Sequence, residues 1–241
     1  GNRGCRMKPY YSDEYVTLYH GDCREVLFGL WRHDVPYICD VLISDPPYAS
    51  ETHAGARTGD RTVSLIDFPP IEAGDIRLVL ERAKVRRWAV ATMDWRHIAE
   101  LEKRPPAGLR FVRFGVWVKP NGAPQFTGDR PATGWEGVAI LHRENGESMK
   151  WNGGGGHAVW RFNKVSCEHP TTKPQPLMQR LVTLFSDAGE TILDPFMGSG
   201  STLVAAKSLG RKSIGIEIEE RYCEIAARRL SQGVLDFGGA A

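Results

Sequence analysis

Thr191-Ile192-Leu193-Asp194-Pro195-Phe196-Met197-Gly198-Ser199-Gly200-Ser201-Thr202 is the stretch that decides how this chain folds. Thr191 to Leu193 reads as a strand, Asp194 to Gly200 as a glycine loop, and Ser201 to Leu209 as a helix stopped by Gly210. Ser213-Ile214-Gly215-Ile216-Glu217 then resumes as a strand, and Glu219 to Leu230 is the last long helix. This is the first turn of a nucleotide-type βαβ unit. A phosphate-binding P-loop needs Gly-Lys-Ser/Thr, and Gly200-Ser201-Thr202 lacks the lysine. A hydrolase elbow needs G-x-S-x-G, which Gly198, Ser199 and Gly200 do not supply. A full dinucleotide fingerprint needs a third glycine where Leu203 stands. What remains is a short G-x-G followed, at the end of the next strand, by an acid. Glu217 is at the right distance to bind ribose hydroxyls, so the pattern points to an adenosine ligand that need not carry phosphates.

Far upstream, the apolar run Asp40-Val41-Leu42-Ile43 reads as a short buried strand that leads into Ser44-Asp45-Pro46-Pro47-Tyr48. Neither proline can donate to a ladder and each fixes its own φ, so the strand ends abruptly. An acid and an aromatic ring are thereby held at the C-terminal end of a strand, the edge where open α/β sheets bind ligands. Taken alone, the pattern fits a plain strand-terminating turn equally well.

Between these stretches the chain alternates strands and helices, the grammar of a parallel sheet. Strands are expected at Tyr15–Tyr19, Trp88–Ala91, Arg110–Val118 and Gly137–His142, with extended structure at Val159–Phe162. Helices are expected at Cys23–Leu30, Ile76–Lys84 and Asp94–Leu101, and through Leu177, Leu181, Leu184 and Phe185. Residues 49–75 have no periodicity and read as a solvated loop or as a segment that closes over substrate. Gly153 to Gly156 reads as the most flexible point of the chain.

At 241 residues, with 41% hydrophobic and 25% charged residues, the chain reads as one soluble globular domain. Residues 7–241 are assigned to it, and residues 1–6, ahead of Met7, are set aside as a non-native or disordered remnant. A net charge of +2 excludes a general polycation, so any nucleic-acid surface must be local. The five cysteines form no C-x-x-C pair, which argues against a zinc cluster or disulfide framework and fits a reducing cytosol. No apolar run approaches membrane-spanning length, and no signal peptide is visible. No metal site is expected.

Together, Asp45-Pro46-Pro47-Tyr48, His169-Pro170-Thr171-Thr172-Lys173-Pro174, Asp194 to Thr202 and Ile214-Gly215-Ile216-Glu217 resemble the S-adenosylmethionine-dependent DNA amino-methyltransferases. The tetrapeptide precedes the cofactor loop, as in the permuted beta group, and the resemblance runs from about Val16 to Leu230. It implies an α/β, Rossmann-like fold: a mostly parallel seven-stranded sheet with one antiparallel strand and helices on both faces. By the same resemblance Phe196, Gly198, Gly200, Ser201 and Thr202 would line the cofactor loop. Asp194, Thr171 and Lys173 would border that pocket, and Glu217 would hold the ribose. Asp22, with Cys23 beside it, matches the family's adenine-side acid, although Asp22 also suits a helix N-cap. The span between Arg143 and Cys167, where relatives often carry a recognition insert, is short here. Candidate recognition loops are therefore 49–70, 121–135 and 143–167.

The resemblance also implies the chemistry. The exocyclic amine of adenine is a poor nucleophile because its lone pair is conjugated with the ring. Asp45 and the carbonyl of Pro46 can accept its two N–H bonds and favour a pyramidal nitrogen, Pro47 stiffens the turn, and Tyr48 can stack on the base. Methyl transfer is then an in-line displacement governed by positioning, with Asp45 the nearest acceptor for the departing proton. The base must be flipped out of the duplex at a cost of roughly a few kcal/mol. Asp at the first tetrapeptide position favours N6-adenine over N4-cytosine; a degenerate module that binds DNA or cofactor without turnover is the reading from another class. The expected partners are double-stranded DNA, a second copy of the chain and a cognate restriction nuclease, in a prokaryotic or phage-encoded cytoplasmic setting.

Overall fold

Val41–Ser44, Trp88–Met93 and Thr191–Asp194 are buried at almost every position, and helices cover both of their faces. The chain is described by a computed structural model over residues 7–31, 36–47, 72–144, 148–165 and 173–232. Residues 1–6, Tyr48, the loop 49–70, Thr171 and parts of 143–167 lie outside the described residues. In chain order the elements are β1 (Tyr11–Ser12), β2 (Val16–His20), α1 (Cys23–Leu30), β3 (Val41–Ser44), α2 (Ala73–Arg82), β4 (Trp88–Met93), α3 (Trp95–Lys103) and β5 (Leu109–Val118). They continue with β6 (Trp135–Arg143), β7 (Val159–Arg161), α4 (Gln175–Phe185), β8 (Thr191–Asp194), α5 (Ser201–Ser208), β9 (Lys212–Glu217) and α6 (Glu220–Ser231).

The nine strands of the described residues form one sheet in the order β1-β2-β9-β8-β3-β4-β6-β5-β7. The expected seven strands are its inner members, β2 through β5 in that order, and β6 is their one antiparallel strand. The count of seven is corrected to nine by the edges. β1 is two residues long and antiparallel to β2; β7 is three residues long and parallel to β5. β7 falls where extended structure is expected at Val159–Phe162, whereas β1, two residues long, carries too little alternation to be recognised in a sequence.

Helices α1, α2 and α3 bury Val26, Leu27, Ile76, Val79, Leu80, Ile98 and Leu101 on one face. On the other, α4 and α5 bury Leu177, Leu181, Phe185 and Ala205, while α6 adds Cys223, Ala226 and Leu230. Strands β2 and β3 are parallel, as the strand-helix-strand pattern implied, but β9 and β8 from the end of the chain lie between them. That insertion brings the C-terminal glycine loop beside the N-terminal tetrapeptide.

The four-glycine run is a hydrogen-bonded turn rather than a free hinge. Gly156 N–H donates to Gly153 O (3.0 Å), and Trp151 Nε1 donates to Gly154 O (2.8 Å). Asn152 Nδ2 donates to Thr183 O, Ser186 O and Asp187 Oδ1 at 3.0–3.1 Å, satisfying carbonyls at the C-terminal end of α4. That end leads into the start of β8, so residues 151–156 sit at the N-terminal edge of the sheet, away from the tetrapeptide. Residues 121–135 connect β5 to β6 at the opposite edge, where Asn121 exchanges two hydrogen bonds with the Lys164 backbone.

Candidate active site

β3, β8 and β9 end side by side, each on a polar side chain with no room to turn away. The Ser44 hydroxyl donates to Asp194 Oδ1 (2.6 Å), and the Phe196 N–H donates to the same oxygen (3.1 Å). Thr202 also bonds the Asp194 carboxylate. Asp194 is 2% exposed, and burial pushes its carboxyl up to about 6 in spite of these donors. Its side chain thus ties the two strand ends and the start of α5 together.

At the end of β9, Glu217 accepts from Gly198 N–H at Oε2 and from Glu219 N–H at Oε1, both at 2.9 Å. It is buried, and that burial raises its carboxyl above the usual range. A Cβ built on Gly198 would meet nothing within 4 Å, so the loop backbone borders open space beside this acid. The Ile218 N–H also bonds this carboxylate, which still keeps acceptor capacity among its four lone pairs. A buried acceptor beside an open glycine backbone fits the ribose of an adenosine group. Gly200 closes the loop at φ +79°, a left-handed conformation, and an added Cβ would stand 3.0 Å from Ala226 Cβ.

Asp45 follows Ser44 directly. Its Oδ1 accepts from the Thr92 hydroxyl (2.5 Å) on β4, and its Oδ2 pairs with Lys173 Nζ (2.7 Å). Lys173 Nζ also pairs with Glu136 Oε2 (3.1 Å), and Glu136 Oε1 pairs with Lys119. Both ammonium groups stand over the Trp117 ring, 5.7 Å and 4.9 Å from its centroid. Burial acts to raise the Asp45 carboxyl, the Lys173 ammonium acts to lower it, and Glu136 raises it again; the net direction is upward. Burial opposes the charge on Lys173, but Asp45 and Glu136 outweigh it and hold its proton more firmly than usual. Two lysines and two carboxylates balance at this edge, which is how four charges remain in so buried a place.

The remaining expected residues fall around this edge. Pro46 is buried and Pro47 half-buried. Asp22 caps α1, accepting from Arg24 N–H (2.8 Å), and its carboxylate pairs with the Arg24 guanidinium (2.6 Å), which holds it below the usual range. The Cys23 thiol packs against the core of the α1–α3 face and is pushed up to about 12 by burial. Ser201 contributes its carbonyl to Gln175 Nε2 (3.1 Å). Lys173, expected to border the cofactor pocket, places its Nζ on Asp45 and Glu136. No sequence motif singles out Thr92, Lys119 or Glu136, and Ser44 is marked only by its place before Asp45. A lone acid beginning a strand or a lone threonine within one has no motif around it. Lys119 had only its place at a strand end to mark it. Two clefts, one lined by Trp31, Leu80, Lys84 and Arg143, the other by Trp151, Trp160, Phe162 and Arg180, share none of these site residues. Among the described residues, no three His, Cys, Asp or Glu side chains group to hold a metal ion.

The family model described as DNA methylase, of N6/N4 methyltransferases, matches residues 140–228, from β6 through α6. This stretch is similar to N6/N4-type DNA methylases. The match includes the glycine loop and Glu217; Asp45 lies upstream of it. The chain also aligns with known proteins beyond that stretch. The type II methyltransferase M2.LlaDCHI of Lactococcus lactis subsp. cremoris is 29% identical, with 94% of this chain and 93% of that protein covered. The structure of M1.HpyAVI in complex with SAM superposes with a TM-score of 0.67 at 23% identity, covering 89% of this chain and 99% of that one. PvuII DNA methyltransferase, cytosine-N4-specific, superposes with a TM-score of 0.69 at 15% identity, covering 95% of this chain and 90% of that one. Both superpositions carry the Rossmann-like fold.

Proposed function

We propose that this protein transfers a methyl group from S-adenosylmethionine to the exocyclic N6 amine of adenine in DNA. The observation that carries the reading is the Asp45 carboxylate, fixed at both oxygens by Thr92 and Lys173 on the same sheet edge as Gly198 and Glu217. S-adenosylmethionine, when bound, supplies an electrophilic methyl group on a sulfonium. Glu217 and the backbone of Gly198 and Gly200 would hold its adenosine part. Asp45, with a lone pair left on each oxygen, accepts an N–H of the flipped base and takes up the proton that the amine must lose. Thr92 and Lys173 hold that carboxylate still, so the amine meets a preorganised acceptor. The Pro46 carbonyl stands next in the chain as the second acceptor, and Tyr48 as the stacking ring.

Labelled cofactor and duplex DNA of mixed sequence, digested to nucleosides after incubation, test the reading. The expected product is N6-methyladenine. Recovery of N4-methylcytosine alone would assign the other base. Absence of product on varied DNA would leave a module that binds without turnover. Relatives named as type II methyltransferases of bacteria support a paired restriction nuclease and a bacterial or phage setting. A second copy of the chain is an expectation that gel filtration tests. None of the described helices is long and apolar enough to cross a membrane.

A further inference from the structure

Lys173 stands between two carboxylates, Asp45 at 2.7 Å and Glu136 at 3.1 Å, and is 8% exposed at its side chain. Its chain position alone does not hold it there. It lies two residues ahead of α4, outside any helix or strand. What points its ammonium at Asp45 is the second carboxylate, delivered by β6. Glu136 is itself held from the other side by Lys119 at the end of β5, and the register pairs Glu136 with Trp117, whose ring both ammonium groups face.

From this geometry we infer that Glu136 is a positioning residue for methyl transfer: it locks the Lys173 ammonium onto Asp45 and so fixes the acceptor that meets the amine. The inference rests on the reading of Asp45 as the amine-binding acid. Glu136 has no part in binding cofactor or base. It acts through Lys173, and its charge reaches Asp45 directly as well. The charged and polar groups facing Asp45 are Thr92 from β4, Glu136 from β6, Lys173 ahead of α4 and Asp194 from β8, with Lys119 of β5 one step behind. In this set Lys173 favours the anionic form of Asp45, while Glu136 opposes it and holds the proton on Lys173. An Asp45 held by lysine alone would be a weaker acceptor for the amine proton. An Asp45 without lysine would be protonated over more of the pH range.

The test is Glu136→Gln in the full chain, assayed for methyl transfer across pH against wild type. The variant should lose about tenfold or more in kcat through misplacement of Asp45. KM for cofactor and for DNA should hold, and the acid limb of the rate profile should move to lower pH. Lys119→Met is the second variant, at the outer end of the chain of charges. It leaves Glu136 uncompensated, so the acid limb should move to higher pH. Either shift distinguishes positioning from simple loss of packing, which would lower the amount of active enzyme without moving the limb. A folded Glu136→Gln with wild-type kcat and an unmoved limb would overturn the inference. If Glu136→Gln does not fold, an unmoved limb in Lys119→Met would do the same. Because the readout is a comparison with wild type, recovery of N4-methylcytosine would overturn the adenine reading and leave this one standing.

Discussion

Ser44 and Asp194, separated by 150 residues of sequence, share a hydrogen bond of 2.6 Å between the ends of adjacent parallel strands. This bond couples the tetrapeptide that would hold the amine to the loop that would hold the cofactor, and it makes the Asp194 ionisation a stability term. The carboxyl titrates at about 6 in the folded protein against 3.8 for an ordinary aspartate. The folded state therefore holds the proton more tightly, and this group's contribution to stability is full below about pH 4 and falls as pH rises to about 6. Relative to Asp194→Asn, wild type should lose stability across that window. Urea unfolding of both proteins at pH 4.5 and pH 7 measures it, and a constant difference would contradict the assignment.

Asp45→Ala removes the acceptor and should lower methyl transfer by about 10²–10⁴-fold. Lys173 keeps Glu136 as a partner, so the fold should survive the change. Calorimetric titration with the cofactor should show wild-type affinity. Joint loss of binding and transfer would place Asp45 in the cofactor pocket instead.

Glu217→Gln keeps an acceptor for Gly198 N–H but replaces a charged oxygen with a donor. Cofactor affinity should fall by about 1.5–3 kcal/mol, the worth of hydrogen bonds to a charged group. DNA binding measured by fluorescence anisotropy, without cofactor, should be unchanged.

Gly200 and Gly108 both have φ +79°, yet only Gly200 has a neighbour, Ala226, where a Cβ would go. Gly108→Ala should cost about 1–2 kcal/mol of stability, from backbone strain alone. Gly200→Ala should cost more, by the contact at 3.0 Å with Ala226. Chemical denaturation of the two variants separates strain from crowding, and equal losses would show that α6 moves aside.

Asn152→Ala releases the carbonyls of Thr183 and Ser186 at the C-terminal end of α4. It should cost about 1–2 kcal/mol of stability. The transfer rate should be that of wild type, since this turn lies at the edge opposite Asp45. A change in sequence preference of methylation would instead assign residues 151–156 to recognition.

The sequence by itself determined the elements and their chemistry. Apolar periodicity marked the inner strands and the helices, since a buried face must repeat at the period of its backbone. Two prolines marked the end of β3, and G-x-G followed by Glu217 marked the adenosine end of the site, because both depend on local backbone rules. Tertiary structure alone decided which side chains meet. Thr92, Lys119 and Glu136 come from β4, β5 and β6, whose order in the sheet differs from their order in the chain. No local spacing records that neighbourhood. Asp45 became one of four balanced charges, and Asp22 a helix cap held by Arg24, through partners that only folding supplied. Likewise, four glycines that are free in an unfolded chain became a turn because Trp151 and Asn152 found hydrogen-bond acceptors there.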